Sequence, residues 1–132
     1  MSRDERDLLA ANEAFYAAFS RHDAAAMDAL WARGTEVACL HPGWEALVGR
    51  EAVVESWRRI LLGGGAPDSV RCRNPVAHVC GDVGWVVCEE VLPGGALAAT
   101  NVFVREGGAF RMVHHHASPI PSPEPEPEGL PN

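Results

Sequence analysis

From Ser69 to Ala117 the chain reads with a period of two and is cut by glycine-rich turns, a pattern that an antiparallel sheet satisfies and a helix does not. Val70 and Cys72, then Val76, His78 and Cys80, alternate with Arg71 and Arg73, then Ala77 and Val79. This predicts a long strand interrupted near Asn74-Pro75, because proline cannot donate to a strand ladder. Three further strands are expected at about 84–92, 96–105 and 109–117, separated by Pro93-Gly94-Gly95 and Gly107-Gly108, which are hairpin turn signals. Strands joined this tightly pair in order, giving a four-stranded antiparallel meander. They are apolar on both faces, so one face should pack on helices and the other needs a cover, for which a second subunit is the simplest.

Ahead of the sheet the period is helical. Ser2 and Glu5 form an S-x-x-E capping box, and Leu8, Asn12, Phe15, Tyr16 and Phe19 recur on one face of a first helix at about 3–20. Asp23 caps a second helix that carries Met27, Leu30 and Trp31 and stops at Gly34. Glu36 to His41 reads as a short strand that joins or flanks the sheet and is ended by Pro42-Gly43. After a loop containing Trp44, Gly49 precedes a third helix with Val53, Val54, Trp57, Ile60 and Leu61 facing inward, closed by Gly63-Gly64-Gly65. The fold class is therefore α+β, three N-terminal helices on an antiparallel sheet. With 132 residues, 47% of them hydrophobic, the chain supports a single domain, placed at 1–118. Residues 119–132 are rich in proline and glutamate, the two alternating from Pro123 to Glu128. They are expected to be a disordered tail, either a solvated terminus or a polyproline II ligand.

Composition excludes several functions. A net charge of -7, without any Lys and Arg cluster, argues against nucleic-acid binding. All eleven basic residues are Arg, which rules out Schiff-base chemistry and a P-loop lysine. No stretch approaches the ~20 apolar residues of a membrane span, and the charged run Arg3 to Asp7 is unlike a secretory leader, so a cytoplasmic location is expected. Cys39, Cys72, Cys80 and Cys88 show no C-x-x-C spacing and are expected as buried, reduced thiols, with neither a disulfide nor a zinc knuckle. No cofactor is indicated.

The run Thr100-Asn101-Val102-Phe103-Val104-Arg105-Glu106-Gly107-Gly108-Ala109-Phe110-Arg111-Met112-Val113-His114-His115-His116-Ala117-Ser118 resembles the last hairpin of SnoaL-like domains in the nuclear transport factor two-like superfamily. It is similar also to the association domain of calcium/calmodulin-dependent protein kinase two. Looser matches at Phe15 to Phe19, His41-Pro42-Gly43, Gly49 to Val53 and Gly81-Asp82 follow in the same order. The resemblance implies a cystatin-like cone: a strongly curved sheet wrapped round the first helix, a pocket at the open end and a homodimer built through the outer sheet face. Asn101 and Ala117 stand where the kinase domains, so aligned, carry pocket arginines, so ring assembly and an anionic ligand do not carry over.

The candidate site follows from these placements. Consecutive strand residues alternate faces, so of His114, His115 and His116 only the outer two share one, too few for a closed metal site unless His114 and His116 of two subunits share an ion across a dimer twofold. The resemblance turns Val113 and His115 into the cone and His114 and His116 towards the dimer interface; a bulge would reverse this. His41, at a chain reversal, is a pocket candidate with Trp44, while Tyr16, Trp31 and Trp57 would wall an apolar cavity, plain core packing being the alternative. Of Glu89 and Glu90, parity with Trp85 and Val87 selects Glu89 as the inward carboxylate. Desolvation would raise its pKa and fit it for acid–base work with His41 or His115, unless it is a surface glutamate. The expected pocket is thus Tyr16, Trp31, His41, Trp44, Trp57, Glu89, Asn101 and His115, with Glu89 and His41 as catalytic candidates. Three functions fit: a homodimer that binds a small apolar molecule, a cofactor-independent isomerase, dehydratase or cyclase, and a non-catalytic oligomerisation module.

Overall fold

The computed structural model describes residues 1–121. Helix α1 spans Arg3–Ser20, and its start is fixed by Ser2, whose Oγ accepts the Glu5 backbone N–H at 3.1 Å. Leu8, Asn12, Phe15, Tyr16 and Phe19 form its buried stripe. Helix α2 spans Ala24–Leu30, capped by Asp23 through the Ala26 N–H at 3.0 Å. It ends before Trp31 and not at Gly34. Trp31 turns extended and bridges Met112, and the Ala32 N–H bonds the Met112 carbonyl at 3.0 Å, so sheet pairing takes over where the helix was expected to continue. Strands β1 (Ala38–Leu40) and β2 (Leu47–Val48) lead to helix α3 (Arg50–Leu62). Four long strands follow: β3 (Arg71–Cys80), β4 (Val83–Leu92), β5 (Gly95–Glu106) and β6 (Ala109–Ile120). No helix among the described residues is long and apolar enough to cross a membrane.

The sheet order is β2-β1-β6-β5-β4-β3. The expected antiparallel meander of β3 to β6 is present. The early strand joins it in parallel to β6, with Ala38 beside His114, and the two-residue β2, too short to leave a pattern in sequence, extends the edge. The sheet stays open, with β2 and β3 as edges, and it is not strongly curled, contrary to the curvature implied by the resemblance. Its bending is local, at register shifts between Arg73 and Val76 in β3 and opposite Val102/Phe103 in β6. Strand β6 runs two residues past the boundary expected at 118, pairing Pro119 with Leu97 and Ile120 with Ala96. Residues 122–132 of the proposed tail lie outside the described residues.

The β3 bulge has a second effect. It reverses parity, so Cys72 faces inward before it, while Ala77 and Val79 face inward after it and Val76, His78 and Cys80 face out. The expectation of four buried thiols fails there: Cys39 and Cys88 are buried, Cys72 is half-buried and Cys80 is exposed, all of them free. Helix α1 lies across the inner face. At Gly84 a Cβ would fall 2.8 Å from Leu8 Cδ2, so the helix seats directly on strand backbone. Phe15 stands edge-on to Tyr16 at 4.9 Å and to Trp57 of α3 at 5.4 Å, which locks the two helices together over the sheet. On the outer face Val76, Val83, Trp85 and Val87 are 37–51% exposed, an apolar strip left uncovered by the described residues.

Candidate functional site

Along β4 the inward residues are Gly84, Val86, Cys88 and Glu90, and the outward ones are Trp85, Val87 and Glu89. Glu89 is therefore not the interior carboxylate. It pairs across the outer face with Arg73 Nε at 3.1 Å and Asn74 Nδ2 at 3.0 Å, and the Arg73 hydrogen bond holds its carboxyl below the usual range. Trp85 and Val87, though apolar, belong to the exposed face, so parity with them marks the outer side of β4.

Glu90 is 1% exposed, and the Tyr16 hydroxyl donates to its Oε2 at 2.7 Å. His115 Nε2 lies 3.7 Å from the same oxygen. Asn101 ties the rest together. Its Nδ2 donates to Asn12 Oδ1 at 2.9 Å and to the Tyr16 hydroxyl oxygen at 3.1 Å, which leaves Oδ1 to accept from His115 Nδ1 at 2.6 Å. An amide oxygen cannot donate, so the His115 proton sits on Nδ1 and the Nε2 lone pair faces Glu90. The Asn101–His115 pairing is itself a product of the sheet, since the two are cross-strand partners in β5 and β6.

Burial sets the protonation states. It raises the Glu90 carboxyl from 4.5 to about 7, opposed by the Tyr16 hydrogen bond. It also lowers His115 to about 3, helped by the nearby His41. Tyr16 is pushed up by burial first, then by Glu90 and Cys88, and so keeps its proton. The interior thus holds a neutral imidazole, a phenol donor and a carboxyl poised to gain or lose one proton near neutrality.

His41 belongs to an adjoining cluster. Its Nε2 donates to Ser56 Oγ at 2.9 Å, because the Ser56 hydrogen is committed to the Val53 carbonyl at 2.7 Å. Its ring is 4.8 Å from both Trp44 and Trp57, and burial lowers its pKa to about 4. Trp57 in turn is 5.7 Å from His115. Trp44, 48% exposed, His41, Trp57 and His115 therefore form a file of rings from surface to interior. Trp31 stands apart from both clusters as a core residue, and its Nε1 has no hydrogen-bond partner among the described residues.

Of the expected pocket, then, the fold brings Tyr16, Asn101 and His115 together, sets His41, Trp44 and Trp57 beside them, and excludes Glu89 and Trp31. It adds Glu90 and Asn12. Tyr16, Trp31, Trp57, His115 and Glu90 are each under 2% exposed, so side chains fill the interior where an open cavity was expected. A cleft of about 280 Å³ reaches this network from outside, between α1 and β3, lined by Tyr16 and Cys72 among others. A broader groove of about 1150 Å³ runs along the solvent side of α3 and touches neither cluster. His114 and His116 lie on the outer face, their rings 6.3 Å apart. Val113 is the bulged residue between Met112 and His114, and without it the Met112 face would have continued into His114 and His116. Among the described residues no group of three His, Cys, Asp or Glu side chains is placed to hold a metal ion.

Comparison with known proteins agrees with this architecture. A candidate dehydratase of the NTF2-like family from Streptomyces avermitilis superposes with a TM-score of 0.81 at 32% identity, over 90% of this chain and 97% of that one. A candidate calcium/calmodulin-dependent protein kinase type II association domain from Thiobacillus denitrificans gives 0.73 at 37% identity, over 86% and 94%. A cystatin-like fold protein from Burkholderia xenovorans, at 22% identity and a TM-score of 0.78 over 92% and 96%, shares the fold. In sequence, the chain is 30% identical over 115 residues to the F-box protein SKIP8 of Arabidopsis thaliana, matching 86% of this chain and spanning about half, 49%, of that protein. Residues 8–123 match the SnoaL-like domain profile, and the chain belongs to that family.

Proposed function

We propose that this domain is a cofactor-independent acid–base catalyst of the isomerase or dehydratase type, acting as a homodimer on a small, largely apolar carbonyl compound. The observation that carries the reading is the Glu90 carboxyl, buried, bonded to Tyr16 and facing the bare Nε2 of a neutral His115. Buried ionisable groups cost stability, and a core needed only for packing would be served as well by apolar residues of the same volume. The ionised Glu90 takes a proton from the carbon beside the carbonyl, and the Tyr16 hydroxyl, turning from Glu90 to the substrate, donates to the oxygen where negative charge develops. Return of that proton to a different carbon completes an isomerisation. The same carboxyl, protonated, serves a departing hydroxyl in a dehydration. A substrate must displace side chains to arrive, and Trp44, the outermost ring beside His41, marks the way in. The name of the Streptomyces avermitilis relative supports this class.

The test is deuterium exchange at carbon in heavy water, followed by proton NMR with cyclohexanone, 2-tetralone and a 3-keto steroid as probes. Exchange above the buffer rate, rising as Glu90 ionises around pH 7 and lost in Glu90→Gln, is expected. Absence of both binding and exchange with all three would favour a second reading. In that reading the domain is a non-catalytic assembly module, supported by the filled interior and the apolar strip Val76, Trp85 and Val87.

A further inference from the structure

Cys72 and Cys88 are thiols that the acid–base reading leaves unused, and both stand at the rim of the same network. Cys72 is the ladder partner of Glu90, and Cys88 precedes Glu90 by two residues on the same inward face, so the cysteines are diagonal cross-strand neighbours. Asn12 Nδ2 donates to Cys72 Sγ at 3.4 Å; Cys88 Sγ is 3.4 Å from the Tyr16 hydroxyl oxygen and 3.9 Å from Asn101 Nδ2. Since Asn12 and Asn101 are bonded to each other at 2.9 Å, one small ring of contacts holds both sulfurs. The thiols also bias each other: Cys72 is the first cause that holds Cys88 below its ordinary pKa, and Cys88 is the first that pushes Cys72 up, so the Cys72 thiolate is scarce and its access to the cleft has to offset a slow reaction.

Their access differs. Cys88 is 7% exposed, whereas Cys72 is half-buried and lines the cleft of about 280 Å³ with Glu13, Ser20 and Arg71. A reagent the size of a peroxide reaches Cys72 first. Bonding diagonal neighbours requires their Cβ atoms to close by roughly 2 Å. Strand β3 can give that, being a sheet edge with a register shift just after Cys72.

We propose that Cys72 and Cys88 are a peroxide-oxidisable dithiol that closes to a disulfide within one chain and takes both sulfurs away from Tyr16 and Asn12. The Cys72 sulfur attacks hydrogen peroxide, the O–O bond breaks, and a sulfenic acid and one water result. The Cys88 sulfur then attacks the Cys72 sulfur. The S–S bond forms as the S–O bond breaks, and the Cys88 proton leaves with the hydroxyl as a second water. The thiol pair loses two electrons and the peroxide gains them. Only the effect of losing the Cys88 contact on Tyr16, the hydrogen-bond donor to Glu90, rests on the proposed catalysis; the oxidation itself does not.

The experiment uses the full chain carrying Cys80→Ser, which removes the exposed thiol outside the network. Treatment with one equivalent of hydrogen peroxide should lower the free thiols from three to one and yield a linked Cys72–Cys88 peptide in a non-reducing map. Adding Cys72→Ser should leave the two remaining thiols intact. Retention of all three thiols in Cys80→Ser, or a trapped Cys72 sulfenic acid without the linked peptide, overturns the proposal even if the second variant fails to fold. A disulfide that forms in a protein showing no carbon exchange would sink the catalytic reading and leave this one standing.

Discussion

Replacing Glu90 by Gln gives the sharpest test of the interior network, because it removes one titration and keeps the shape. The Gln side-chain oxygen can still accept from Tyr16, and its amide can donate to the His115 Nε2 lone pair that now faces a carboxyl. In the wild type the carboxyl binds its proton more tightly folded, at about 7, than at its ordinary 4.5. Its contribution is therefore undiminished below 4.5 and is lost as pH rises towards 7, where folding must carry a buried charge. At ~1.4 kcal/mol per pH unit that loss comes to about 3 kcal/mol.

His115 and His41 act in the other direction. Both are lowered in the fold, to about 3 and about 4, so they cost stability as pH falls below 6.5. That cost is common to both proteins and cancels in their difference. The variant should match the wild type at pH 4.5 and exceed it by about 3 kcal/mol at pH 8, roughly 10 °C in Tm for a domain of this size. Thermal unfolding followed by circular dichroism from pH 4.5 to 8 at constant ionic strength measures it. Parallel curves with a constant offset, or a variant less stable at pH 8, would refute the assignment of Glu90 as the group that titrates in the core.

Two further outcomes follow from the packing. Gly84→Ala places a methyl 2.8 Å from a Leu8 side chain that is fully buried, so it should cost about 1–3 kcal/mol in urea unfolding; a neutral result would mean that α1 does not seat on β4 as described. On the proposed assembly, the full chain should sediment as a dimer at micromolar concentration, and Val87→Asp, on the exposed apolar strip, should shift it to monomer with unchanged circular dichroism. A wild-type monomer would count against that face as the interface.

How legible the molecule was in its sequence depended on whether a residue left a local signal. Ser2 with Glu5 located the start of α1, and the glycine turns located β4, β5 and β6, because capping and hairpin chemistry act over a few residues. Phase was harder. On a strand apolar on both faces, hydrophobicity does not say which face is inward, so Trp85 and Val87 pointed to Glu89 while the fold buried Glu90. The bulge in β3 has a marker in Asn74-Pro75, where Asn74 takes a φ of 55°, but the composition beyond it does not show that parity reverses there, which is what leaves Cys80 on the outer face.

The bulge at Val113 left no compositional mark, yet it decides the site by turning His115 inward and its neighbours out. One residue did announce the network. Asn12 sits on the buried stripe of α1, four residues before Tyr16, and a buried amide must find partners or forfeit about 1–3 kcal/mol for each group left bare. A second inward polar residue on the opposing sheet was therefore required. Asn101 meets that demand, and once its nitrogen serves Asn12 and Tyr16, its oxygen fixes the His115 tautomer. The bare Nε2 that results is what makes a protonated Glu90 the fitting neighbour, so the acid–base pair can be traced back to a single amide in the first helix.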